Sequence, residues 1–171
     1  MIAITDKDTI IKFLKGETKD FMERTYDDIL GHSNEEMEKC HSSIQQIFPL
    51  HEFSKHAATC PILTPEIVKG AKQYPEVSEN LLKAKDRMER FLAIGDYEDI
   101  DIQRKWCKDY NHNLLRVTRV IRCLRLFGLD DAANDFYEKV RQVGEYFGVS
   151  EFTLGKWEQA CTDNVWNTLQ D

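Results

Sequence analysis

The chain has 171 residues, 42% of them hydrophobic and 31% charged, which is typical of one globular domain with a core of its own. No apolar run approaches a bilayer span, and charged residues interrupt the N-terminal stretch MIAITDKDTIIKFL, so we expect a cytoplasmic protein without a signal peptide or membrane insertion. The net charge of −7 argues against general nucleic-acid binding, which needs a broad basic face.

Hydrophobic spacing and capping residues predict helices along the whole chain. Ser33 followed by Glu36 forms a capping box, and Thr64 with Pro65 is a typical helix start. The predicted helices are, in chain order, one capped by Thr5 or Asp6 and ended by Gly16, a single turn at 26–30, then 33–49, 64–74, 75–95, 102–110, 111–128, 129–148 and a last one capped by Ser150.

The fold class follows from this pattern. No run alternates with a period of two over the length of a strand, so the sequence predicts an all-α fold of seven or eight helices in a single domain over residues 1–171. Residues 49–63 contain two prolines and no periodicity, and long connections of this kind are often functional.

The helix at 111–128 is predicted to be the most buried. Its main apolar stripe is complemented by Leu115 and Leu126 on nearly the opposite side, which leaves only a narrow polar sector that contains Arg122 and Arg125. We therefore expect this helix to be covered on two sides, with these two arginines exposed.

The same helix places Arg116 and Arg119 between its two apolar sectors, close to His112. An unpaired buried guanidinium is costly, so either acids from elsewhere in the chain or an anionic ligand must reach it. A structural ion-pair network and an anion-binding site are therefore both open.

Other candidates for chemistry are weaker. Five scattered cysteines without short spacing indicate reduced thiols, and the spacing within the Cys/His-rich patch matches no zinc module. That patch consists of Cys40, His41, His51, His56 and Cys60. Asp27 and Asp28 are either an acid pair for catalysis or a helix cap with a salt-bridge partner. No motif for a nucleotide, cofactor or catalytic nucleophile occurs, so we expect neither a metal nor a cofactor.

Several short blocks occur in a fixed order along the chain. They are Arg24 to Gly31, Glu35-Glu36, Glu38, His41, Ile44-Gln45, Phe48 to Leu50, Glu52, Ser54, Pro61, Leu63-Thr64, His112-Asn113, Leu115-Arg116, Thr118-Arg119, Leu124-Arg125, Gly128-Leu129, Trp157 and Ala160. In these blocks, from about Phe13 to Cys161, the chain resembles the conserved N-terminal domain of the opioid growth factor receptor family. The family pattern has tryptophan at the positions of His32 and Gln46, and asparagine near His56.

The resemblance implies a compact, bacterial-type member without the long additional regions of the animal receptor, to which peptide binding and nuclear association belong. It also implies that the polar members of the matching blocks belong to one site. These residues are Asp27, Asp28, His41, Gln45, Glu52, His112, Asn113, Arg116 and Arg119.

We expect a binding module for a small anionic or peptide-like ligand, or for a partner protein, and not an enzyme. The alternative is an enzyme in which His41 or His112 acts as acid or base and Arg116 with Arg119 binds an anionic substrate. In either case one of the acids in the matching blocks should pair with Arg116 or Arg119. The candidate acids are Asp27, Asp28, Glu38 and Glu52.

Overall fold

A computed structural model describes residues 6–53 and 59–166, and over these residues it is all-α, with no β-strand. Eight of its ten α-helices have seven residues or more, in agreement with the predicted seven or eight. In chain order the helices are α1 Lys7–Leu14, α2 Tyr26–Leu30, α3 Asn34–Lys39, α4 His41–Ile47, α5 Pro65–Ala71, α6 Pro75–Leu92, α7 Ile100–Trp106, α8 His112–Leu126, α9 Asp130–Tyr146 and α10 Glu151–Thr162.

Contacts divide the chain into two compact units, one ending at Ala84 and the other beginning at Lys85, so that the division falls within α6. A single domain over residues 1–171 stays a prediction. Among the described helices, none combines the length and the apolar character that crossing a membrane requires.

The first unit is held by buried polar bonds between helices as well as by apolar packing. The Asp6 carboxylate caps α1, which packs against α5, and buried Asn80 donates from Nδ2 to the Leu14 carbonyl at 2.8 Å. The hydroxyl of fully buried Tyr26 donates to the Ile47 carbonyl at 2.9 Å. These bonds fix α2, α4 and the start of α6 around the N-terminal helix, because buried polar groups are costly unless they are paired.

The predicted helix at 33–49 is in fact two helices, α3 and α4. The capping box of Ser33 and Glu36 is present, but Cys40 adopts an extended conformation with φ −96° and ψ 93°, which ends α3 and begins α4. The break turns the chain at Cys40, and Arg24 contacts the side chains of both Cys40 and Ser43 there. Tertiary contact at this position outweighs the local helical pattern.

In the second unit α8, α9 and α10 pack against one another, and α7 packs against α8. Two buried tryptophans make bonds between helices. Trp157 Nε1 of α10 donates to the Leu114 carbonyl of α8 at 3.0 Å, and Trp106 Nε1 of α7 donates to the Leu92 carbonyl at the end of α6 at 2.9 Å. Their rings lie 6.4 Å apart. Each indole therefore combines a large apolar contact with a satisfied N–H group.

Helix α8 is largely buried, with nine of its fifteen residues buried. Leu126 is buried as predicted, but Leu115 is 75% exposed, so the prediction of a second covered face is wrong at that position. The neighbouring helices cover the other faces of α8 and leave Leu115 open. Leu82 of α6 is likewise 44% exposed, because it lies one helical step beyond buried Leu81.

The prediction that Arg122 and Arg125 are exposed is also wrong. Both side chains are only 16% exposed, because the end of α10 brings Asp163 onto this face of α8. Arg125 Nη1 donates to Ala160 O at 2.8 Å and to Asp163 Oδ1 at 2.9 Å. The polar sector of α8 is therefore bonded to the C-terminal turn of the second unit.

Candidate functional site

The nine residues of the predicted site fall in both units. Asp27, Asp28, His41, Gln45 and Glu52 belong to the first unit, and His112, Asn113, Arg116 and Arg119 belong to the second. That these nine form one site, and that an acid of the first group pairs with an arginine of the second, stays a prediction.

The two acids of α2 are exposed, and one of them is a helix cap. Asp28 Oδ2 accepts from the Thr25 backbone N–H at 2.8 Å while Thr25 Oγ1 accepts from the Asp28 N–H at 3.1 Å, which completes a capping box. Hydrogen bonds from the Thr25 backbone and side chain lower the pKa of Asp28. Asp28 is therefore a helix cap, which is the structural one of the two roles that the sequence left open. Asp27 lies beside it in the first turn of α2.

Three further candidates lie on or after α4. His41 is exposed as the first residue of α4, and Glu52 is half-buried beyond its end. Gln45 is half-buried, and its backbone carbonyl accepts from Cys60 Sγ at 3.2 Å. In the enzyme alternative the acid-base residue is His41 or His112, which lie in different units, and that alternative stays a prediction.

The four candidates of the second unit lie together on the first turns of α8. Asn111 caps the helix by accepting from the Asn113 N–H at 2.9 Å. Arg116 is 6% exposed; its Nη1 donates to Asn113 Oδ1 at 3.1 Å, and its guanidinium lies 5.8 Å from the ring centroid of Phe91. One amide and one aromatic ring therefore hold the guanidinium in a defined orientation.

Exposed apolar side chains flank these polar residues. Tyr110 is fully exposed and has a φ of 65°, and Leu115 lies one turn after His112 and one turn before Arg119. We call this set the α8 patch. It comprises Tyr110, His112, Asn113, Leu115, Arg116 and Arg119.

The first unit also contains a second polar cluster, and the sequence analysis did not identify its residues as one group. Its centre is Arg24, whose Nε and Nη2 donate to Asp20 Oδ2 at 3.0 and 2.6 Å. The other oxygen of Asp20 accepts from the backbone N–H groups of Met22 and Arg24, both at 3.0 Å, so both oxygens of this fully buried carboxylate are hydrogen-bonded. The tight loop from Asp20 to Arg24 fixes the guanidinium.

The remaining donors of Arg24 point at α4 and its cap. Nη1 contacts Cys40 Sγ at 3.3 Å and Ser43 Oγ at 2.9 Å, and Nη2 contacts Ser42 Oγ at 3.2 Å. Ser43 Oγ also lies 3.3 Å from His32 Nδ1. We call this set the Arg24 cluster. It comprises Asp20, Arg24, His32, Cys40, Ser42 and Ser43.

The cluster changes the acidity of its thiol. Partial burial raises the pKa of Cys40, but hydrogen bonds from Ser42, Ser43 and Arg24 outweigh burial and lower it to about 7. Burial also opposes the charge of Arg24, yet hydrogen bonds with Asp20 and Cys40 raise the pKa of the guanidinium. The arrangement thus stabilises a thiolate beside a permanent positive charge.

None of the five cysteines forms a disulfide, and all of them lie within the described residues. Within residues 6–53 and 59–166 no three side chains of His, Cys, Asp or Glu are placed to hold a metal ion, and His56 of the Cys/His-rich patch lies outside those residues. Two surface depressions of about 310 and 400 Å³, one in each unit, contain none of the nine predicted site residues. The α8 patch and the Arg24 cluster are therefore the candidate sites on this part of the chain.

The opioid growth factor receptor (OGFr) conserved region matches residues 9–138, which is most of the chain. This range includes all nine predicted site residues and all of the Arg24 cluster. Comparisons with curated proteins and with solved structures found no match.

Proposed function

The chain belongs to the opioid growth factor receptor family through its conserved region, and from that premise we propose that it is a binding module that recognises a peptide-like segment through the α8 patch. The segment would present an acidic side chain next to an apolar one. The acid would meet Arg119, which is half-buried, and the apolar side chain would contact the exposed Tyr110 and Leu115.

The observation that carries this proposal is the state of Tyr110. A large aromatic residue with positive φ is strained by about 1 to 3 kcal/mol, and such strain concentrates at ligand-binding and catalytic positions. Tyr110 has a φ of 65° and its ring is fully exposed two residues before His112. Burying that ring against a ligand would recover apolar contact that the protein alone does not make.

The charge of α8 supports an acidic partner. Residues 111–129 contain four arginines and no acid, in a chain of net charge −7. Arg122 and Arg125 face Asp163, so Arg116 and Arg119 supply the positive charge on the side of the patch. Arg116 is itself buried and held by Asn113 and Phe91, so the half-buried Arg119, one turn further along α8, is the guanidinium that a carboxylate would reach. Aromatic residues and arginine are also the residue types that contribute most to protein interfaces.

The test is binding of the full chain to an array of short synthetic peptides. Each peptide carries one glutamate beside an aromatic or aliphatic residue, and its matched partner carries glutamine in place of glutamate. Peptides that bind are then titrated by calorimetry. We expect binding that falls about tenfold or more, or about 1.4 kcal/mol, when the glutamate is neutralised.

Tyr110→Gly separates binding from folding, because glycine tolerates the positive φ and removes the ring. We expect this variant to be at least as stable as the parent and to bind the peptides about tenfold more weakly or worse. Phe152→Ser is the matched control, since Phe152 is 75% exposed on α10 and lies outside the patch. If Tyr110→Gly binds as well as Phe152→Ser, or if no peptide binds, the proposal is wrong.

A further inference from the structure

We propose that the Arg24 cluster makes Cys40 an oxidation site, at which a hydroperoxide converts the thiolate to a sulfenic acid. This inference is independent of the α8 patch, since it concerns a different group of residues in the first unit. It rests on the way Asp20, Arg24, Ser42 and Ser43 surround one sulfur atom.

The geometry is preorganised for a thiolate. Arg24 is anchored through two of its nitrogens to a carboxylate with no exposed side-chain surface, which leaves Nη1 at 3.3 Å from Cys40 Sγ. Ser42 Oγ lies 3.3 Å from the same sulfur. A negative charge on sulfur thus meets a guanidinium and a hydroxyl that do not have to reorganise.

The other cysteines differ in ways that matter for reactivity. Burial raises the pKa of Cys107 to about 12 and that of Cys161 to about 11. Cys60 is buried and donates its S–H to the Gln45 carbonyl, and Cys123 is also buried. Cys40 is half-buried, and its pKa is lowered to about 7, which is close to neutral pH. Thiolates with a pKa near the ambient pH attack fastest overall.

The reaction balances without a further reactant. The Cys40 thiolate attacks one oxygen of hydrogen peroxide, so that an S–O bond forms, the O–O bond breaks, and hydroxide leaves and is protonated by solvent. Sulfur loses two electrons and the peroxide gains them. The sulfenic oxygen would then accept a hydrogen bond from Arg24 or Ser42. Excess free thiol reverses the step through a mixed disulfide.

The experiment must distinguish oxidation of Cys40 from oxidation of the neighbouring Met22. Met22 is 50% exposed, and its Sδ lies 3.5 Å from Ser42 Oγ, so methionine oxidation adds the same mass close to Cys40. The charged and titratable neighbours of Cys40 in the cluster are Asp20, Arg24 and His32. The ionisation of Cys40 must therefore be measured directly, and not inferred from an oxidation rate alone.

The experiment treats the full chain with hydrogen peroxide at pH 7, traps sulfenic acid with dimedone, and locates the adduct by peptide mapping. We expect the adduct on Cys40 and not on Cys107 or Cys161, and dimedone does not label oxidised Met22. Cys40→Ser should abolish labelling, whereas the matched control Cys161→Ser should leave it unchanged. Equal labelling of several cysteines, or none on Cys40, would overturn the proposal.

The role of the cluster is tested with Ser42→Ala and Arg24→Lys, each checked for parental helix content by circular dichroism. The thiolate is titrated by ultraviolet absorbance, as the difference between each chain and its Cys40→Ser form. We expect a midpoint near 7 in the parent. In Ser42→Ala we expect a higher midpoint and a labelling rate at pH 7 that is lower by roughly fivefold, the loss of thiolate for a pKa one unit higher. A parental midpoint near 9, or an unchanged rate in a folded Ser42→Ala chain, would show that the cluster does not activate Cys40.

Discussion

Arg125 donates to Asp163 from both of its terminal nitrogens, to the carboxylate at 2.9 Å and to the backbone carbonyl at 2.6 Å. The two residues are 38 positions apart, and their side chains are only 16% and 15% exposed. This bond pair ties the C-terminal turn to α8, and it makes Arg125 a structural residue of the second unit.

The first prediction is that Arg125→Ala destabilises the protein by about 2 kcal/mol, because hydrogen bonds to charged groups in partly buried sites contribute this much. Chemical denaturation measures the change. Arg141→Ala is the control, because Arg141 is 34% exposed and bonds to Glu138 and Glu145 of its own helix, so its loss should matter little. Equal losses for the two variants would contradict the structural role of Arg125.

The second prediction compares two helical glycines. A Cβ atom on Gly144 of α9 would lie 2.9 Å from the buried Trp157 ring and 3.1 Å from Leu154, whereas a Cβ on Gly155 of α10 meets nothing within 4 Å. Gly144→Ala should therefore destabilise by about 1 to 3 kcal/mol through overpacking. Gly155→Ala should stabilise by about 0.5 to 1 kcal/mol through helix propensity. Thermal and chemical denaturation of both variants measure these changes in stability. If Gly144→Ala stabilised the protein, the Trp157 ring would have to move away freely from the added methyl group.

The third prediction concerns the hydroxyl of Tyr26, which is the only difference between Tyr26 and phenylalanine. Its bond to the Ile47 carbonyl lies in the core, so Tyr26→Phe strands a buried acceptor and should cost about 1 to 3 kcal/mol. Tyr97→Phe is the matched change, because that hydroxyl donates to Asp86 at an exposed position. Denaturant midpoints should fall further for Tyr26→Phe, and the reverse order would refute the assignment.

The fourth prediction is a pH dependence from the capping boxes. Backbone hydrogen bonds from Thr25 and Ser33 lower the pKa of Asp28 and Glu36 in the folded state. A lowered pKa contributes stability that is complete above the unfolded-state value of about 4 and is lost as pH falls through the folded-state value. Stability should therefore decline below about pH 4.

In the double variant Asp28→Asn, Glu36→Gln neither capping side chain can be protonated as pH falls. The stability of this variant should therefore decline less over the same acidic range. Urea denaturation across that range measures the two slopes. Asp27→Asn is the control, because Asp27 lies in the same turn but outside the capping box, and its profile should follow the parent. A double variant with the full parental decline would exclude the capping acids as its cause.

The sequence by itself determined the fold class and most of the helix starts. Asp6, Ser33 with Glu36, Thr64 and Ser150 all cap the predicted helices, because each bond joins groups three residues apart and needs no other part of the chain. The family followed from short blocks in order. The buried character of α8 followed from its apolar spacing.

Only the tertiary structure decided what covers each face and which distant polar groups meet. Periodicity marked Leu115 as apolar, but its exposure depends on where neighbouring helices lie. Arg24 reaches Cys40 and Ser43 across 16 and 19 residues, and that contact accompanies a helix break that the local pattern does not predict. Arg125 was predicted to be exposed because Asp163 is remote in sequence. Helical spacing encodes the direction of a side chain, whereas its partner is set by long-range packing, and the candidate sites of this protein depend on that packing.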